Sequence, residues 1–385
     1  MKLLHLGDLH LGRSLGDYDL YDDQEYILKE IIRIVKERQV DAVLIAGDVY
    51  DKAVPSEAAT NLLDFFLKEL AGCGVSTFAI SGNHDSDDRL NYGSRLFQSN
   101  NIFIAAKYEG ELCKHTVTDA YGEVNFYLLP FVKASQVRHY HEEEDIEDYN
   151  DAVRCVINRA APDPSSRNVL VAHQYVGGKG IDPIRAGSEG LSVQSVGTVE
   201  RIDSDCFECF DYVALGHIHS PQALGRETIR YSGSPLKYSL SEVYNNKSVP
   251  IITLGAKGET QVELVPLTPK RDVRHITGYW KEIIDEKNIQ NPEDYVYVTL
   301  RDEEYLNDVM GTLQHFYPNA VALDYDNSTT RAKETADISC FTEDKPFEEL
   351  FTDFYKQIYG QDISEEELEI MRSVAREAGV FHEAD

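Results

Sequence analysis

Five times along this chain a short apolar run stops at a residue that can ligate a metal. Lys2 to Leu6 leads into Gly7-Asp8-Leu9-His10, and Ala42 to Ala46 leads into Gly47-Asp48. Ser76 to Ile80 leads into Ser81-Gly82-Asn83-His84-Asp85. Val169 to Ala172 ends at His173, and Tyr212 to Leu215 ends at Gly216-His217-Ile218-His219. Short apolar runs bounded by turn residues read as buried strands. Open α/β sheets hold their ligands at the carboxyl ends of such strands. The pattern constrains the chain to a fold that gathers these five ends.

The segments between the first runs are helical. Tyr26 to Val40 places Ile27, Ile31, Ile34 and Val35 on one face. Ser56 to Leu70 does the same with Leu62, Leu63, Phe66, Leu67 and Leu70. Alternating strand and helix predicts a layered α/β core. Further strands at Asn125 to Leu129, Thr228 to Ser232 and Val249 to Leu254 lack long helices between them, which makes the second half a mixed sheet. After Pro269 the pattern becomes a small β–α–β–α–β unit. It runs through Val273–Thr277, Trp280–Asp285, Tyr295–Leu300, a helix over Glu303–His315, and Val321–Tyr325.

The expected division is a core over residues 1–270, a small α/β domain over 271–340 and a helical tail over 341–385. In the tail, Phe347, Leu350, Phe351, Phe354, Tyr355 and Ile358 form one apolar stripe. Ser364 and Glu367 then make a capping box for a second helix, which carries Leu368, Met371, Val374, Ala375 and Ala378 and stops at Gly379.

The chain has 67 acidic residues against 37 Lys plus Arg, a net charge of −30. The stretch His139 to Asp151 carries seven acids and no Lys or Arg, and reads as a solvated loop or helix face. Such acidity weighs against direct phosphate binding by the whole surface. The six cysteines form no disulfide framework, and Cys206-Phe-Glu-Cys209 lacks the second pair of a zinc ribbon. No apolar stretch approaches the ~18 residues of a membrane span, and Asp8 interrupts any secretory apolar core. A cytoplasmic protein without membrane association is expected.

Asp8, His10, Asp48, Asn83, His173, His217 and His219 make a mixed nitrogen and oxygen donor set without thiolates. That chemistry suits Mn²⁺, Fe²⁺ or Zn²⁺ better than Cu(I), Ca²⁺ or Mg²⁺. Seven donors exceed the needs of one ion. Two ions about 3.5–4 Å apart, sharing one carboxylate, use them naturally and act on phosphoryl groups. His5, His115, His139, His141, His275, His315 and His382 fall outside the pattern and read as packing or surface residues.

With "LLHLGDLHLG", "IAGDVYD", "ISGNHD", "LGHIHSPQ" and "YSGSPLKYS" in view, the chain resembles the calcineurin-like metallophosphoesterase superfamily. Within it, the chain is similar to the SbcD family of nuclease subunits. The resemblance implies a layered metallophosphoesterase core, a capping domain and a C-terminal helical tail. It implies that Asp8, His10, Asp48 and His219 hold one metal and that Asp48, Asn83, His173 and His217 hold the other, with Asp48 bridging. His84 is then a catalytic group over the scissile phosphate, oriented by Asp85. Archaeal and eukaryotic relatives carry a second histidine three residues after the bridging Asp, where this chain has Asp51.

The implied activity is Mn²⁺-dependent cleavage of DNA, as exonuclease on duplex ends and endonuclease on single strands or hairpins. The implied partner is an SbcC-type ATPase, which supplies DNA-binding surface and a coiled coil on which the tail docks. A homodimer within a heterotetramer completes the picture. Two other readings stand beside it: a stand-alone phosphoesterase on non-DNA substrates, and a non-catalytic scaffold. The intact donor set and His84 count against the scaffold.

Overall fold

The computed structural model describes residues 1–178, 182–185, 187, 201–304, 306, 308–328, 330, 351–352, 355–356 and 362–377, without the side chains of 366, 373 and 375–377. The chain divides into two compact units. The larger comprises Met1–Ile276, Gln290–Tyr297 and Met310–Ala322; the other comprises Thr277–Ile289, Val298–Val309 and Leu323–Asp385.

Two six-stranded sheets build the larger unit. The first has the order Thr260–Pro266, Ser248–Leu254, Lys2–Leu6, Ala42–Ala46, Ser76–Ile80, Ile102–Ala105. Its last four strands are mutually parallel, and Ser248–Leu254 runs antiparallel to Lys2–Leu6. The second has the order Gln222–Leu224, Arg226–Tyr231, Tyr212–Gly216, Arg167–His173, Gly122–Leu129, Cys113–Asp119. Here the four central strands are parallel and both edges antiparallel.

Successive residues of a strand face opposite sides, and the core clusters follow that alternation. Ala42, Leu44 and Ala46 join Val169, Val171, Tyr212 and Ala214 in one apolar layer between the sheets. Val43 and Ile45 point the other way, into a layer with helices Tyr21–Arg38 and Glu57–Gly72. Leu170 and Ala172 face a third layer with helix Tyr149–Ala160. The strands are therefore buried on both faces, which is why they read as unbroken apolar runs. The layered α/β class expected from the sequence is the one observed.

Helix Glu57–Gly72 starts where Ser56 Oγ accepts from the Ala59 amide at 3.1 Å. Helix Tyr21–Arg38 begins earlier than its apolar stripe. Its first turn carries Asp23, whose carboxylate takes the Arg271 guanidinium and the Tyr295 hydroxyl, partners more than two hundred residues away. Strands Cys113–Asp119 and Thr260–Pro266 lie at sheet edges with no fully buried residue, so neither carries an unbroken apolar run in the sequence.

The acidic stretch is largely exposed and leads into helix Tyr149–Ala160, capped by Asp148. Cys73, Cys113, Cys155, Cys206 and Cys209 are all free thiols. No helix among the described residues is long and apolar enough to cross a membrane.

Val273–Gly278, Tyr295–Leu300 and Ala320–Tyr325 form a three-stranded sheet. The helix expected over Glu303–His315 is described from Val309 to Phe316, preceded by Asp308 at φ 48°. In the tail, helix Glu365–Glu377 forms. Its capping box is complete: the Glu367 amide donates to Ser364 Oγ, and the Ser364 amide donates to Glu367 Oε2 at 3.0 Å. Of the first tail stripe, Phe347, Leu350, Phe354 and Ile358 lie outside the described residues, as do Ala378 and Gly379. Met371 is buried, whereas Val374 is exposed.

Candidate metal centre

Strands Lys2–Leu6, Ala42–Ala46 and Ser76–Ile80 are parallel neighbours in one sheet, and Arg167–His173 and Tyr212–Gly216 are parallel neighbours in the other. All five carboxyl ends therefore meet at one edge of the two-sheet core. The loops that follow are zipped together. Asp8 N donates to Gly47 O at 3.1 Å, His10 N to Asp48 O at 2.9 Å, and Leu11 N to Val49 O at 2.9 Å.

This zipping holds backbone conformations that a free chain avoids. Asp8, His10, Asp48 and His217 have φ of 54°, 44°, 48° and 100°. Each such residue costs on the order of 1–3 kcal/mol, which the surrounding structure must overcome. Two glycines permit the close approach. A Cβ on Gly82 would overlap the Asp48 carboxylate, and one on Gly216 would overlap the Ala46 carbonyl oxygen.

The seven predicted donors converge. His10 Nε2 lies 3.1 Å from His219 Nε2 and 3.6 Å from Asp48 Oδ2. His173 Nε2 lies 3.4 Å from the same Asp48 oxygen, which thus sits between the two groups of ligands. Asn83 Oδ1 is 3.0 Å from both His173 Nε2 and His217 Nδ1. Asp8 Oδ1 accepts from the His217 amide at 2.8 Å. Three sets have ligand atoms within 4.8 Å of one another: Asp8, His10 and His219; Asp8, Asp48 and His173; and His10, Asp48 and His84.

The electrostatics call for a cation. Burial pushes the Asp8 carboxyl up to about 6 and the His10 and His217 imidazoles down to about 4 and about 3. Both rings are therefore neutral, ligand-ready bases near pH 7. Burial opposes charge on Asp48 as well, yet His173, His10 and His84 hold its carboxyl below the usual range. His173 Nδ1 faces the Ala46 carbonyl at 2.8 Å, so Nε2 points at two oxygens. Burial would strip its second proton, but Asp48 and Asp8 hold the ring's pKa up to about 9. Asp8 Oδ2 is buried with no hydrogen-bond partner. Ring nitrogens and oxygens converging on one buried space, with an orphaned carboxylate oxygen among them, fit a site built for positive charge.

The family described as calcineurin-like phosphoesterase matches residues 1–221. The chain belongs to the calcineurin-like phosphoesterase family. A second match, over residues 269–359, is to the SbcD-type domain described as the type 5 capsule protein repressor C-terminal domain. The two matches together bear out the resemblance to the SbcD family. Among solved structures, the chain is similar to a dimetal phosphatase from Danio rerio, with 12% identity, 69% of this chain and 96% of that chain covered, and a TM-score of 0.40. As a phosphoesterase of this family, the protein is a hydrolase whose donor cluster is suited to two divalent ions.

Around the cluster of this phosphoesterase lies a shell of supporting groups. Glu242 is fully buried and its Oε1 lies 3.2 Å from His219 Nδ1, so that Nε2 faces the donor cluster. Asp51 Oδ1 sits 3.5 Å from His10 Nδ1 and accepts from Arg13 at 3.0 Å. A carboxylate behind a histidine fixes its tautomer and direction. Gln24 and Tyr238 donate to the carbonyls of His10 and Leu9. The sequence signal for Glu242 was faint, because a lone acid in a polar stretch has no spacing that marks it.

The hydrogen bond expected from Asp85 to His84 is not formed. Asp85 instead accepts the amides of Val49 at 3.1 Å, Tyr50 at 2.8 Å and Gly82 at 2.9 Å, tying the second loop to the third. Its short side chain is turned back into its own turn. His84 is oriented by the Asp51 carbonyl, 2.9 Å from Nδ1, and its amide donates to Asp48 Oδ1 at 2.9 Å. The half-buried ring of His84 packs edge-on against His10 with centroids 4.9 Å apart. Asp51 therefore serves His10 through its carboxylate and His84 through its carbonyl.

Proposed function

We propose that this phosphoesterase is the nuclease subunit of an SbcC–SbcD-type complex, hydrolysing DNA phosphodiesters with two Mn²⁺ ions. The observation that carries the reading is the convergence of seven nitrogen and oxygen donors in a chain that also matches the SbcD-type C-terminal domain. Asp8, His10, Asp48 and His219 would hold one ion, and Asp48, Asn83, His173 and His217 the other. Bound there, such ions polarise a phosphate and supply hydroxide near neutral pH.

The chain's own residues do the rest. Glu242 and Asp51 hold the imidazoles of His219 and His10 with one ring nitrogen facing the centre. His84 is the group for the leaving oxygen. With Nδ1 anchored on the Asp51 carbonyl, its Nε2 edge can donate to a developing alkoxide. Asp85 fixes the loop that carries His84 rather than the ring itself. The acidity of the chain favours delivery of DNA by an SbcC-type ATPase, with 271–340 as capping domain and 341–385 as the docking tail.

The test is Mn²⁺-supported cleavage of linear duplex and hairpin DNA by the purified chain, beside bis-p-nitrophenyl phosphate. The His84→Ala variant is the control, with bound metal measured in both. The expected result is cleavage by the wild type and a loss of about 10²–10⁴-fold in the variant at unchanged metal content. Full activity of His84→Ala at equal occupancy refutes its role. Hydrolysis of the small diester with DNA left intact, even after addition of a cognate SbcC-type ATPase, favours a stand-alone phosphoesterase.

A further inference from the structure

The segment 182–185 sits beside the donor cluster, and none of the motifs accounts for it. Two side chains tether it. The Ile184 amide donates to Gln222 Oε1 at 2.8 Å, and Gln222 Nε2 donates back to the Ile184 carbonyl at 2.8 Å. Arg201 Nε donates to Asp182 Oδ1 at 2.8 Å. Gln222 closes the "LGHIHSPQ" phrase, three residues after His219, so the strand end that carries two imidazoles also anchors this segment.

The tether presents Arg185. Its guanidinium carbon lies 4.3 Å over the Tyr175 ring, and that ring is 6.4 Å from the His217 ring, centroid to centroid. Arg185 is exposed, Tyr175 half-buried. Among the described residues no carboxylate pairs with Arg185, although the chain carries 67 acids. By contrast Arg13, the other arginine near the centre, is engaged by Asp51. That distance makes a cation–π contact, and a guanidinium so engaged still has five N–H donors to offer a phosphate. A planar guanidinium held in this way is preorganised for bidentate contact with a phosphate.

We infer that Arg185, stacked on Tyr175, binds a backbone phosphate of the substrate strand beside the one at the metal centre. This rests on the nuclease reading above and adds to it a second anchoring point on the strand. The two ring distances laid end to end bound the separation of the Arg185 guanidinium from the His217 ring, and that reach lies within a short stretch of one strand. The contact reads no base, and Gln222 is a positioning residue for it.

The experiment is fluorescence anisotropy with a fluorescein-labelled single-stranded oligonucleotide over a salt series, using the full chain with Mn²⁺ in the His84→Ala background. Arg185→Ala is expected to weaken binding roughly tenfold, the scale of a lost charge-assisted contact. The slope of log affinity against log salt is expected to shrink by about 0.7, one phosphate's worth of released counterions on a single strand. Arg185→Lys is expected to restore the slope and only part of the affinity, because it lacks the planar fork.

Weaker binding at an unchanged slope makes Arg185 a structural residue and overturns the inference. Unchanged affinity overturns it too, and if the wild type still cleaves the oligonucleotide, the nuclease reading stands. No binding by the parent chain, even with a cognate SbcC-type ATPase added, overturns both.

Discussion

Glu242→Gln separates fold stability from metal affinity in one substitution. The Glu242 and Lys247 side chains are 0% and 5% exposed, and their charged ends are 2.5 Å apart. Lys247 also donates to Ser234 Oγ at 2.8 Å and to the His219 carbonyl at 2.9 Å. His219, Lys247 and the Ser234 region thus hang on one carboxylate. Glutamine keeps the shape and removes the charge that balances a buried ammonium. Breaking a buried pair from one side costs about 3–5 kcal/mol, and the retained amide oxygen places the expected loss near the lower end. The same change weakens the acceptor behind His219 Nδ1, and metal affinity should fall about 10–100-fold. Urea unfolding followed by circular dichroism reads the first quantity, and calorimetric titration with Mn²⁺ reads the second. The double variant Glu242→Gln/Lys247→Met should recover most of the stability and none of the affinity. A double variant that regains wild-type affinity, or a single variant that binds Mn²⁺ as the wild type does, refutes the orienting role of Glu242.

Four further outcomes are expected. Gly82→Ala should abolish metal binding, because its Cβ would occupy the place of the Asp48 carboxylate; overpacking of this kind costs about 1–3 kcal/mol, and a variant with wild-type metal content in elemental analysis would contradict the geometry. His173, raised to about 9, is protonated at pH 7.5, so metal binding there should release about one proton, read by calorimetry in buffers of different ionisation enthalpy. Because its folded pKa lies above the unfolded one, its stabilisation of the metal-free chain is complete below about 6.5 and is lost as pH rises through about 9; metal-free melting temperatures that climb over that window refute the assignment. Truncation after Cys340 should abolish binding to an SbcC-type ATPase and leave small-diester hydrolysis intact, and retained partner binding in a pull-down sinks the docking role of the tail.

Much of this was legible in the chain itself. Strands Lys2–Leu6, Ala42–Ala46 and Ser76–Ile80 are bounded as the apolar runs predicted, since burial on both faces leaves an unbroken apolar signal. The seven donors were legible because each follows such a run. Asp51 could be noticed but not interpreted, since its two duties come from Arg13 and His10 on one side and His84 on the other. The role of Asp85 is hidden from the sequence for a related reason. Adjacency to His84 suggested a contact, whereas the amides of Val49 and Tyr50, more than thirty residues away, claimed both of its oxygens.

The sequence by itself determined what the chemistry is made of: which residues end the buried strands, and that they offer imidazole, carboxylate and amide without thiolate. Periodicity and donor type are local properties, and a local reading recovers them. Only the tertiary structure decided how those donors are aimed. The left-handed turns at Asp8, His10 and Asp48, the carboxylates behind His10 and His219, and the tether that lays Arg185 on Tyr175 all depend on strands brought side by side from distant parts of the chain. Hydrogen bonds across such distances leave no spacing in the sequence, because the loops between them can take any length without changing the contact.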